Sequence, residues 1–104
     1  MRYEDFSVNL ESSVPELLDF CGLKMTESVK KFVASHTGTN IGGVSSTFRD
    51  SKTAPFMWRQ KVEYKEVEGW QNSCEEAMNV WGYNKVTNPN ELGTFITIGN
   101  YTVL

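Results

Sequence analysis

The stretch RYEDFSVNLESSVPELLDFCGL, residues 2–23, decides how the rest of the chain is read. Its first part, Arg2 to Val8, mixes Tyr3, Phe6 and Val8 with charges, which predicts the end of a β-strand running into a loop. Its second part predicts a helix. Ser12 or Ser13 can cap it, and Pro15 falls in its first turn, where a missing N–H costs nothing. Val14, Leu17, Leu18 and Cys21 recur at helical spacing as one apolar stripe, and Gly22 is suited to end it. A strand must exchange hydrogen bonds with a neighbour. No other segment supplies an obvious partner, so RYEDF is expected to lie in the interior of a longer protein.

Working outward, Thr26 can cap a second helix that buries Val29, Phe32 and Val33 and ends near His36-Thr37-Gly38. GTNIGGVSST, residues 38–47, has glycines without periodicity and predicts a loop. Pro55 can open a short helix carrying Phe56, Met57 and Trp58. From Lys65 to Trp81 the residues Val67, Trp70, Cys74, Ala77, Met78 and Trp81 recur at threes and fours, predicting one long helix stopped by Gly82. Asn88-Pro89-Asn90 predicts a turn, and the segment after it is read as a short strand or a tail. The expected class is therefore α/β, with one strand around residues 1–6 and three to four helices, incomplete as a fold on its own. Residues 1–92 form the expected domain and 93–104 a tail.

Composition excludes several classes. The 104 residues carry a net charge of −3, which offers nucleic acid or an acidic membrane surface no general attraction. Hydrophobic residues make up 39% of the chain, a globular level, yet no apolar run approaches the roughly 20 residues that span a bilayer. Cys21 and Cys74 have no metal-type spacing and His36 is the one histidine, so no metal site is expected. Both cysteines fall on predicted apolar faces and are read as buried thiols, with a disulfide left open.

The order of these residues resembles the C-terminal third of the sulfotransferases, specifically the Golgi carbohydrate 6-O-sulfotransferases acting on galactose or N-acetylglucosamine. The resemblance rests on RYEDF, LLDFCGL, FVASHTGTN, STFRD, MWRQKV, CEEAMNVWGY and NELG, in that order from Arg2 to about Leu92. It implies a mostly helical C-terminal part of a P-loop-like sulfotransferase fold. It implies sulfate transfer from 3′-phosphoadenosine 5′-phosphosulfate (PAPS) to a 6-hydroxyl of a glycan, without a metal. It further implies a Golgi-lumen protein whose membrane anchor and phosphosulfate-binding elements precede this segment, and a segment inactive by itself. NIGGVSS lacks the lysine and the strand-to-helix context of a phosphate loop.

For individual residues, the resemblance places Tyr3 beside adenine, although a strand tyrosine packed on the next helix fits equally. It places Thr37 at a nucleotide-contacting turn and Arg49 at the 3′-phosphate, where a guanidinium fork suits a dianion. Asp50 and Ser51 stand where family relatives carry Lys and Gly, and Lys52 follows. Arg59, in the W-R pair, is expected to position the loop or meet an anionic glycan. Trp58 is expected in the core.

His36 lacks a sequence-placed partner for base catalysis and is read as a turn histidine at a helix end. Glu4 and Asp5 are read as structural, one of them pairing with a buried arginine. Asn100-Tyr101-Thr102 is a glycosylation pattern; Asn72-Ser73-Cys74 is discounted because it lies in a predicted helix. The alternative from another class is a small non-catalytic helical interaction module. A cytosolic-type sulfotransferase is disfavoured, because R-K-G-x-x-G-x-W-K is missing.

Overall fold

The structure, a computed structural model, describes residues 1–94. Its order is α1 (Tyr3–Val8), α2 (Leu10–Phe20), α3 (Glu27–His36), a 3-10 helix (Ala54–Gln60), α4 (Tyr64–Ser73), α5 (Glu75–Trp81) and α6 (Pro89–Leu92). Among the described residues there is no strand; an isolated antiparallel bridge joins Ile41 to Phe48. The chain divides into two compact units, Met1–Phe56 and Met57 onward.

In the first unit, the expected strand at residues 1–6 is corrected to helix α1. The Arg2 guanidinium reaches one turn ahead and donates to both Asp5 oxygens, at 2.7 and 3.1 Å. A backbone donor at Phe6 closes the same turn onto Arg2 O at 3.1 Å. Glu4 and Asp5 place negative charge at the helix N-terminus, where the dipole favours it. Helix also satisfies the segment's backbone without a second strand. The Arg2 side chain is 7% exposed, so the structural reading of Asp5, paired to a buried arginine, agrees with the geometry.

Asn9 breaks the chain for one residue and α2 begins at Leu10. Pro15 consequently lies inside α2 and not in its first turn, and the Ser12 hydroxyl donates to Asn9 O. Gly22, at φ 72°, ends α2: its N–H meets Asp19 O and the Leu23 N–H meets Leu18 O, the paired closure of a left-handed C-cap. Thr26 caps α3 by accepting the Val29 N–H. The stripes are shallower than expected. Leu17 and Phe32 are exposed, and Phe20 is 88% exposed.

In the second unit, the predicted Lys65–Trp81 helix is two helices with a break at Cys74. Asn72 and Ser73 are weak helix formers, and the Ser73 hydroxyl bonds back to Gly69 O, an arrangement that bends helices. The break takes Trp70, Cys74 and Trp81 out of a common buried stripe, and all three are exposed. Cys21 and Cys74 are both exposed free thiols, against the buried reading; one caps the end of α2 and the other occupies the kink. Glu63 and Glu66 form a capping box at the start of α4. Gly82, at φ 69°, ends α5 as expected.

Asn88-Pro89-Asn90 proves to be a helix start. The Asn88 side chain accepts the Glu91 N–H and Pro89 occupies the first helical position. The unit's core is Val67, Val86 and Leu92, with Val62 and Tyr64 against it. Gln71 seals it: its amide donates to Val86 O at 3.0 Å and accepts Val86 N–H at 2.6 Å. The Asn100 sequon and most of the strand-or-tail segment lie outside the described residues. No helix among the described residues is long and apolar enough to cross a membrane.

Candidate functional site

The candidate site grows from the C-terminus of α3. Thr37 caps that helix, its hydroxyl donating to Val33 O at 2.7 Å. His36 is stacked between two rings, Phe32 at 4.0 Å and Phe48 at 4.2 Å, with interplanar angles of 17° and 18°. Its Nδ1 lies 2.8 Å from Ser35 Oγ and 3.0 Å from Phe32 O. No carboxylate joins this group, so the geometry supports a packing histidine and not a general base.

The chain then leaves α3 as a loop and returns beside it. Two backbone bonds secure the return: Arg49 N–H to His36 O and Ser51 N–H to Thr37 O, both at 2.9 Å. The Asn40 side chain accepts the Asp50 N–H at 3.1 Å. Asp50 turns its carboxylate onto the Lys52 N–H at 3.1 Å, an Asx turn, so its charge serves the local backbone. Its carbonyl accepts from Thr53 and Ala54, which starts the 3-10 helix.

These contacts form one rim of a cleft of about 730 Å³, lined there by Thr37, Gly38, Asp50, Ser51 and Lys52. Val8 to Glu11 and Pro15 line it as well, and Met25, Lys30, Val33 and Ala34 complete the lining. Lysines, carboxylates, hydroxyls and apolar side chains share this surface.

Sequence-predicted residues fall unevenly around it. Thr37 lines the cleft; Arg49 does not, although its backbone N–H bonds the carbonyl of His36, the residue before Thr37. The Arg49 guanidinium turns to the loop: Nη1 donates to Phe48 O at 2.8 Å, and Nη2 donates to Gly43 O at 2.6 Å and Val44 O at 3.1 Å. Tyr3 is 60% exposed on α1 and does not line the cleft.

Arg59 belongs to the second unit, where Nε donates to Leu92 O at 3.0 Å and Nη2 to Glu91 O at 3.1 Å. Its guanidinium also stands 5.5 Å from the Trp58 ring centroid. Burial holds the Arg59 pKa below its ordinary value. Trp58, expected in the core, is exposed.

Sequence reasoning missed Ser46, Asn40 and the Phe32–His36–Phe48 stack. The spacing of Phe32 and His36 is an i, i+4 signal that was available. Phe48 and Ser46 act across a loop, which no periodicity reports. Among the described residues, no group of three or more His, Cys, Asp or Glu side chains is placed to hold a metal ion.

Comparison with known proteins bears out the resemblance. The chain is 31% identical over 97 residues to carbohydrate sulfotransferase 1 of Danio rerio, covering 88% of this chain and 23% of that protein. It is 32% identical over 88 residues to carbohydrate sulfotransferase 3 of Tetronarce californica, covering 83% and 20%. Against human carbohydrate sulfotransferase 2 the figures are 26% over 96 residues, 88% and 18%. The chain thus spans less than a quarter of these relatives' length, and the matches are consistent with a C-terminal portion of such a protein. No family model matches, and no solved structure matches.

Proposed function

This chain is related to the carbohydrate sulfotransferases, and from that premise we propose that it is the nucleotide-side, C-terminal portion of an enzyme that moves sulfate from PAPS to a 6-hydroxyl of galactose or N-acetylglucosamine in a glycan. The parent fold is the P-loop-like α/β fold of such enzymes. The parent is anchored in the Golgi membrane and works in the lumen. Residues 1–92 form the domain part and 93–104 its tail. The observation that carries the reading is the match to the two sulfotransferases at 31% and 32% identity across most of the chain.

The family resemblance supports assigning the nucleotide contacts to Tyr3, Thr37 and Arg49, of which Thr37 lines the cleft. Arg49 retains an Nε–H without a partner among the described residues. With both Nη2 hydrogens on carbonyls, that Nε edge offers a phosphate one charge-assisted hydrogen bond. Thr37 supplies a hydroxyl to the nucleotide, and Tyr3, exposed on α1, supplies a ring that can stack on adenine. In the second unit, Arg59 is assigned to an anionic glycan through the Nη1 group that Glu91 and Leu92 do not occupy.

The chain alone transfers no sulfate. Stabilising charge on the leaving phosphate is usually the largest catalytic contribution, and no Gly-rich phosphate loop is present in this sequence. Incubation with radiolabelled PAPS and keratan-type oligosaccharides should give no turnover above a boiled control. Arg49→Ala should weaken binding of the product nucleotide, 3′-phosphoadenosine 5′-phosphate, by about ten- to a hundredfold, the worth of a charge-assisted hydrogen bond. Arg49→Lys should recover part of that loss. Unchanged affinity in Arg49→Ala, read by titration calorimetry, removes Arg49 from the dock.

A further inference from the structure

One hydroxyl takes part at both ends of the loop between Asn40 and Phe48. Ser46 Oγ donates to Ile41 O and accepts the Phe48 N–H at 3.1 Å, so a single side chain ties the two ends of the turn. The Ile41 N–H to Phe48 O bond, at 3.4 Å, runs beside this tie, and the Ser46 N–H meets Gly43 O at 3.0 Å. The carbonyls of Gly43 and Val44 lie within the turn so closed, and both accept from Nη2 of Arg49. Phe48 O, one end of the tied turn, accepts from Nη1. Three carbonyls therefore set the plane of the guanidinium, and the turn that carries them is tied at its ends by the Ser46 hydroxyl together with the Ile41–Phe48 backbone bond. Gly42 supports the same arrangement. Its φ is +84°, and a Cβ there would stand 3.1 Å from Ser46 Cβ and 3.2 Å from Ser46 Oγ.

We propose that Ser46 is a positioning residue for the nucleotide's 3′-phosphate: its hydroxyl shapes the Gly43–Val44 carbonyl pair that aims Arg49. The inference rests on the reading of Arg49 as the phosphate contact. A guanidinium held on one side by carbonyls keeps its Nε–H directed without further loss of side-chain freedom when the anion arrives. With the tie removed, Arg49 must be ordered by the ligand itself, and affinity falls for ligands that carry the 3′-phosphate. Ligands without that group do not use Arg49 and do not sense the change.

The test is an amide NMR titration of this chain and its variants with two probes, 3′-phosphoadenosine 5′-phosphate and adenosine 5′-monophosphate. Ser46→Ala should weaken the first by about three- to tenfold, the worth of a neutral hydrogen bond, and leave the second unchanged. Gly42→Ala should do the same by displacing Ser46, while Ser46→Thr, which keeps the hydroxyl, should retain affinity. Ser46→Ala added to Arg49→Ala should cause no further loss. Equal losses for both probes, or losses that add to those of Arg49→Ala, overturn the positioning role and leave Arg49 as the dock. If Arg49→Ala itself does not change the preference between the probes, or wild type binds neither, the dock reading falls and this inference with it. Should Ser46→Ala unfold, Gly42→Ala and Ser46→Thr decide.

Discussion

The two units are held by different physics. In Met1–Phe56 the buried polar and charged side chains are Arg2, Ser7 and Ser13, and the segment from His36 to Ala54 is organised by hydrogen bonds and a ring stack. In the unit from Met57 onward, Val67, Val86 and Leu92 form the buried apolar core, sealed by Gln71. Apolar burial is non-directional, so it stabilises without aiming a side chain. Hydrogen bonds have directions, and the first unit uses them to aim Arg49. The candidate site sits with the directional unit, where orientation matters more than bulk stability.

This contrast breaks if the second unit does not depend on its core. Leu92→Ala should cost about 2–5 kcal/mol, a transfer loss plus a cavity. Leu17→Ala, on an exposed face of α2, should cost about 0.5 kcal/mol or less. Chemical denaturation followed by circular dichroism compares the two, and equal losses would erase the distinction. Trp70→Ala should fall below Leu92→Ala, because Trp70 is 51% exposed.

For the first unit, the pair of Asp5 with the buried Arg2 guanidinium should matter more than any apolar contact of α1. Asp5→Ala should cost about 1.5–3 kcal/mol, the range for hydrogen bonds to a charged group. Val8→Ala, exposed in the same helix, should stay within about 0.5 kcal/mol. The same denaturation assay checks both, and the reverse order would make α1 an apolar element after all.

The smallest expected effect is acid sensitivity in the second unit. The Glu91 carboxylate accepts the Thr87 N–H and then its hydroxyl, and these bonds hold its pKa below the ordinary value. Lys85 does the same to Glu75 by hydrogen bond and charge. A native pKa below the unfolded one means the stabilisation is complete above the unfolded value. It is lost as pH falls from about 4.3 through the lowered native values. Both groups are exposed, so the loss is gradual and small. Amide shifts around Thr87 and Lys85 should move in that window, and Glu91→Gln should abolish the movement at Thr87. Movement at neutral pH instead would contradict the sign.

Short-range chemistry was legible. The Thr26 cap, the stops at Gly22 and Gly82 and the loop at residues 38–47 each depend on a residue and its immediate neighbours. Thr37 and Arg49 are proposed as nucleotide contacts only through family resemblance, since neither lies on a periodic pattern. Ser46 was not found at all: its two bonds reach back five residues and forward two within an irregular loop.

By itself, then, the sequence determined the Thr26 cap, the stops at Gly22 and Gly82, and the kinship with sulfotransferases. These follow from residue types at fixed short offsets and from their order. Tertiary structure alone decided which apolar residues of the helical stripes are covered. The same apolar spacing fits a buried stripe or an exposed one, and only the packing of other segments chooses between them. It also decided where the Arg49 guanidinium points, because three carbonyls from one loop direct it and no linear pattern records their positions.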